Sequence, residues 1–320
     1  LSTDSRRLLE LMSDCLQHAT LPAEELEKQR TLQLAALRQQ REQPMYVAQE
    51  ALRQALFPHH PYRWDAAGSE ATVQGLTRDG LQEIYRRYVS RSNLVLSVFG
   101  DISAEEARAL TETYFGQLPA GAGRVTHVEA APPALPVRRV QREPREQAIL
   151  LLGYPGFNAQ DPRNDALAVL QKALSGLSSD LGIEIREKRG LVYFVGAFSL
   201  VALDPGFFAF YAGTHEEAVP EVERLMLEQA ERLTRQGLRP DEFQRAVEQL
   251  VAAQDMNLQN NADLALGCAL NELYGLGYRY GLEQRERLAR LQPADIQRVA
   301  AELLAPERQA VSVVLPQANP

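Results

Sequence analysis

The sequence predicts an α+β fold, a duplicated domain in which each copy is a mostly antiparallel sheet packed with helices. Three observations carry this reading. Short alternating or continuous apolar runs bounded by Gly, Pro and Asp punctuate longer stretches of helical period. Leu76–Leu81 and the run Leu96–Phe99 align with Leu291–Ile296 and Val311–Val314, 215 residues on. Leu21–Leu26 aligns with Leu238–Phe243 at an offset of 217, so order and spacing of the elements recur. The same offset puts the start of the first copy about 70 residues ahead of Leu1, which leaves that copy without its N-terminal part. The predicted boundaries are 1–120 for the C-terminal portion of the first domain, 121–145 for a linker and 146–320 for the second domain.

The first expected helix runs from Ser5 to Thr20, with Leu8, Leu9, Met12, Cys15 and Leu16 on one face. Leu21-Pro22-Ala23-Glu24-Glu25 opens a longer one, because proline suits a first turn and acids suit the positive end of the helix dipole. It is expected to pass Leu26, Leu34 and Leu37, kink at Pro44 and end near Phe57. The Phe57–Tyr62 stretch, with its two prolines, must leave the helix, and Thr77 caps the next one, whose Leu81, Ile84, Tyr85 and Tyr88 are expected to face inward. A strand at Asn93–Phe99 and a helix at Ala104–Phe115 follow. Residues 116–145 are rich in Pro, Gly and small residues and read as a linker with a short edge strand near Val137–Val140.

Beyond the linker, Gln147–Tyr154 reads as a buried strand and Pro162–Leu174 as a helix. A short charged helix then breaks at Gly190 into a strand from Leu191 to Leu203, and Asp204-Pro205-Gly206 turns it into a hairpin with Phe207–Ala212. Helices are expected at 216–236, 240–275 and 293–304, and a last strand at Gln309–Leu315.

Composition bounds the function. The chain has 320 residues, 45% of them hydrophobic, enough for a large core, and a net charge of -8 that argues against a nucleic-acid partner. No apolar run approaches the length of a membrane span, and the first residues lack the pattern of a secretion signal. Cys15 and Cys268 read as reduced core residues.

Two polar side chains flank the break at Gly190. Arg186 and Tyr193 stand seven residues apart, offering five fixed donors and one. They could grip a peptide carbonyl or carboxylate. Equally, Arg186 could be a solvated charge paired with Glu184 or Glu187, and Tyr193 a half-buried strand aromatic. The adjacent His59 and His60 read as a rigid surface loop, since neighbours on an extended segment point to opposite sides and do not easily share a metal.

The segment Leu76–Gly100 and the run Arg186-Glu187-Lys188-Arg189-Gly190-Leu191-Val192-Tyr193 together resemble the pitrilysin, insulysin and mitochondrial processing peptidase family, the zinc peptidases with an inverted H-x-x-E-H motif. The resemblance implies a peptidase-like fold over nearly the whole length. It implies that Arg186 and Tyr193 contact substrate, with Tyr193 acting as a carbonyl donor in trans. It also implies a zinc held by two histidines and a distal glutamate. No H-x-x-E-H occurs, the five histidines (His18, His59, His60, His127, His215) lack chelating spacing on one helix face, and the family's two helical glutamates fall on Gln29 and Ala36. The chain is therefore expected to bind no cofactor itself and to pair, as a non-catalytic subunit, with a homologous subunit that carries the zinc. The expected substrate is peptide or unfolded polypeptide, in the periplasm or cytoplasm of a bacterium. The alternatives are a structural core-type subunit without chemistry and a fragment of a self-contained zinc endopeptidase.

Overall fold

The computed structural model describes residues 4–121, 128 and 130–317. In chain order the elements are α1 (Ser5–Gln17), α2 (Ala23–Arg41), α3 (Pro44–Leu56), α4 (Glu70–Gln74), α5 (Arg78–Tyr88), α6 (Ala104–Phe115), β1 (Val137–Glu143), β2 (Ala148–Pro155) and α7 (Asn164–Ala173). They continue with β3 (Val192–Leu200), β4 (Phe207–Thr214), α8 (Val219–Gln236), α9 (Pro240–Asn257), α10 (Asn261–Leu273), α11 (Gln284–Leu288), α12 (Pro293–Leu303) and β5 (Ala310–Pro316). The chain divides into two compact units, one drawn from Leu1–Leu37, Ala67–Thr126 and Met256–Gly281, the other from Arg38–Ala66, His127–Asp255 and Leu282–Pro320.

The second unit is built on a five-stranded sheet of order β1-β5-β2-β4-β3. Only β1 and β5 run parallel, so the expected mostly antiparallel sheet is what forms. Its central strands read as continuous apolar runs because both faces are covered. On one face Leu150, Leu152, Phe208, Phe210 and Val313 pack against residues of α7, α8 and α12 such as Leu170, Met226 and Ile296. On the other, Ile149, Leu151, Ala209 and Val314 meet Ala48, Leu52, Ala55 and Leu56 of α3. Leu52 needs the missing side chain at Gly153: a Cβ there would stand 2.6 Å from Leu52 Cδ1. The buried Ser312 hydroxyl donates to the Ala48 carbonyl at 2.9 Å and ties α3 to the sheet.

The first unit is helical over the described residues, with Leu9, Leu110, Phe115 and Leu118 forming a small core. Arg30 of α2 donates to the carbonyls of Val73, Gln74 and Leu76, satisfying the end of α4.

Several expectations are corrected. Leu94–Phe99 forms no strand among the described residues; an apolar run becomes a strand only where a neighbour supplies the ladder. Leu8, Met12, Ile84 and Tyr88, expected inside, are exposed, because the described part of this unit offers no sheet for those faces to cover. Cys15 is exposed too, and only Cys268 is buried. The helix expected to bend at Pro44 stops instead, and Pro44 begins α3, since its ring carries no N–H to continue the ladder. The expected 240–275 helix is likewise two, restarted by Asn260, whose side chain accepts from the Ala262 amide at 2.8 Å. His127 lies outside the described residues. No helix among the described residues is long and apolar enough to cross a membrane.

Candidate functional site

The segment between α7 and β3 is where the sequence concentrates its chemistry. Gly182–Glu187 forms a single π-helical turn, anchored by the buried Leu181 and Ile185 and leaving Arg186 exposed. Such turns widen the helix by one residue and recur at functional sites. Gly182 must be glycine, because a Cβ would stand 2.7 Å from the Leu177 carbonyl oxygen. Gly190, at φ 63°, takes the left-handed conformation that reverses the chain into β3. The Gly190 amide donates to the Arg186 carbonyl at 3.0 Å and the Leu191 amide to that of Ile185 at 3.1 Å, closing the corner.

A cluster of charges fixes the start of this turn. Arg239 makes two 2.7 Å hydrogen bonds to Asp180, and Arg232 lies 3.4 Å from Asp180 and 2.9 Å from the buried Glu242. Glu242 also accepts from the Arg239 amide at 2.7 Å. The Arg239 hydrogen bonds hold the Asp180 carboxyl below its ordinary value of 3.8, against the opposing effect of burial. A depressed carboxyl stabilises the fold above its unfolded value and loses that contribution as pH falls through the folded one. Asp180→Asn is therefore expected to lower the thermal midpoint at pH 7 and to make progressively less difference below about pH 4, measured by circular dichroism.

At the other side of the corner the β3–β4 register slips between Val192 and Phe194: Val192 pairs with Thr214 and Phe194 with Gly213. Tyr193 is the extra residue of this bulge. Counting back from the hairpin would set Tyr193 opposite Thr214; the bulge removes it from the ladder and re-aims its side chain. Tyr193 is 43% exposed, on an edge strand of the sheet. The Thr214 hydroxyl donates to the Leu191 carbonyl and pins the strand ends together.

The structure thus exposes both Arg186 and Tyr193 at one corner, but joins them by no hydrogen bond. Glu184, one of the two carboxylates available to Arg186, is taken by Lys188. The phenol instead meets His215, just beyond β4, at 2.8 Å from Nε2 and 3.2 Å from Nδ1. The sequence weighs His215 only as a metal ligand; its meeting with Tyr193 surfaces only when the bulge is counted into the register.

His60 is a second correction. His59 is exposed, but His60 is buried, and its Nδ1 accepts from the Tyr62 amide at 3.1 Å. An amide can only donate, so Nε2 carries the proton and donates to Asp204 Oδ2 at 2.9 Å. The pair locks the His60 loop to the hairpin turn beside a cavity of about 690 Å³ lined by Leu56, Phe57, Pro132, Pro155 and Pro205 among others.

Gln29 and Ala36 both lie exposed on α2. Among the described residues no three His, Cys, Asp or Glu side chains come together to hold a metal. The donor set described does not fit a zinc site.

Residues 75–250 match the family model described as the peptidase M16 inactive domain, a span of more than half the chain. The chain belongs to this family. An uncharacterized zinc protease of Streptomyces coelicolor is 28% identical to this M16 chain over 328 residues, covering 99% of it and 70% of that protein. One of Bacillus subtilis is 26% identical over 314 residues, covering 97% and 75%. The crystal structure of a peptidase M16 inactive domain from Pseudomonas fluorescens superposes with a TM-score of 0.90 at 22% identity, over 100% of this chain and 78% of that one. The pitrilysin-like resemblance read from the residues and the α+β fold it implied are both borne out.

Proposed function

We propose that this M16 chain is a non-catalytic subunit of a zinc metallopeptidase, which grips a peptide through Arg186 and Tyr193 and completes the active site of a zinc-bearing homologous partner. The observation that supports this most is the bulge at Tyr193, which lifts one phenol out of the ladder onto the free edge of the sheet. Beside it, the exposed Arg186 presents a rigid fork of donors suited to a carbonyl or a C-terminal carboxylate.

In the reaction, the Tyr193 O–H donates to the scissile carbonyl and strengthens its bond as that oxygen gains charge in the tetrahedral transition state. Arg186 fixes the register of the peptide. Metal and general base come from the partner, and this chain supplies position and one electrophilic donor.

The test is affinity purification of the intact protein from its own cell, with mass and metal analysis. A homologous M16 subunit should co-purify, and zinc should follow that subunit when the two are separated. Zinc retained by this chain alone overturns the proposal. It would favour the second reading, part of a self-contained peptidase, which the names of the two bacterial relatives support.

A further inference from the structure

The sheet face that carries Tyr193 is aromatic well beyond the phenol. The β3–β4 register pairs Phe194 with Gly213, Gly196 with Tyr211, Phe198 with Ala209 and Leu200 with Phe207, and alternation puts all four pairs on one face. Tyr193 shares that face, since its ring meets that of His215, which continues the alternation just past β4, at 5.0 Å. None of the residues in these pairs is charged.

Two of the pairs set a ring against a glycine. A Cβ at Gly213 would collide with the Phe194 ring, and one at Gly196 would stand 2.6 Å from the Tyr211 hydroxyl oxygen, so each ring leans across onto the neighbouring strand. Phe194 and Tyr211 lie 6.1 Å apart, and Tyr211 and Phe198 6.0 Å, tilted by 42° and 52°. Phe198 meets Phe207 edge to face at 5.5 Å, which completes a row of rings. α3 packs over β1, β5 and β2, and Phe194, Phe198 and Tyr211 stay only half-buried, with Leu200 exposed at the far end of the strand. Open apolar surface of this kind gains free energy when another apolar group covers it.

We infer that Phe194, Tyr211 and Phe198 form a specificity subsite that takes a bulky apolar side chain, aromatic above all, of the peptide held at Tyr193. This names a substrate class for the peptide grip proposed above and rests on that reading. Gly196, at the middle of the row, lies three residues from Tyr193, about 10 Å along the strand. An extended peptide of about four residues spans that distance, so one substrate reaches the phenol and the rings together. An aromatic side chain entering there adds one more tilted pair to the row, whereas a charged one gives up hydration and finds no countercharge in these pairs.

The experiment measures binding of two fluorescein-labelled, unstructured peptide amides to the full chain by anisotropy, one of alanine and serine alone and one with a single central phenylalanine. The phenylalanine peptide should bind about tenfold tighter, as partial burial of one ring gives. Phe198→Ser and Tyr211→Ser should each shrink that gain to about threefold or less. Circular dichroism checks that they fold; Phe198→Leu, which keeps apolar packing and drops the ring, should give an intermediate gain and serves if either does not. Equal binding of the two peptides by the unaltered chain, or a gain undiminished in these variants, overturns the subsite. The grip stands without it if Arg186→Ala or Tyr193→Phe weakens both peptides alike. Binding that neither Arg186→Ala nor Tyr193→Phe weakens overturns the grip, and no binding of either peptide overturns both.

Discussion

If the proposed pairing holds, Tyr193→Phe should lower the turnover of this chain with a zinc-bearing partner by a hundredfold or more, while leaving the yield of the complex unchanged. Loss of one donor to a developing oxyanion typically costs about 2.7–4 kcal/mol at the transition state. Phe keeps the ring beside His215 and removes only the oxygen, so folding and assembly are not disturbed. Arg186→Ala, by contrast, should act mainly on KM, because a guanidinium that fixes register binds ground state and transition state alike. Steady-state kinetics on a quenched peptide separate the two. Turnover unaffected by Tyr193→Phe would remove the phenol from the reaction.

Leu52→Ala should destabilise the second unit by about 2–5 kcal/mol, seen as a lower urea midpoint with an unchanged slope. Leu52 is fully buried, and its methyls sit over Gly153, which has no side chain of its own to fill the space. The hydrogen bond from Ser312 to the Ala48 carbonyl ties α3 to the sheet one turn before Leu52. Leu32→Ala, on a side chain 62% exposed, is the control and should change stability by less than about 0.5 kcal/mol. A loss at Leu52 no larger than at Leu32 would mean that α3 is not seated on that face.

These two sites differ in how far they could be read beforehand. Arg186 and Tyr193 announce themselves by residue type and by the glycine break between them. His215 does not, since its meeting with Tyr193 depends on one residue of slippage that no local pattern records. The His60–Asp204 bond, 144 residues apart in sequence, is equally silent: one partner read as a loop residue and the other as part of a hairpin turn.

What the amino-acid order determined by itself is the set of pieces. The apolar runs that became β2, β4 and β5, the turn at Asp204–Gly206, the reversal at Gly190 and the amphipathic α8 and α12 all follow from local period and turn chemistry. Tertiary structure alone decided that Leu94–Phe99 goes unpaired among the described residues, that α3 covers the sheet of the second unit, and that a phenol and an imidazole meet at its edge. The reason is physical. Periodicity reports which face of an element seeks burial, whereas ladders, buried ion pairs and bulges depend on partners that only the folded chain brings near.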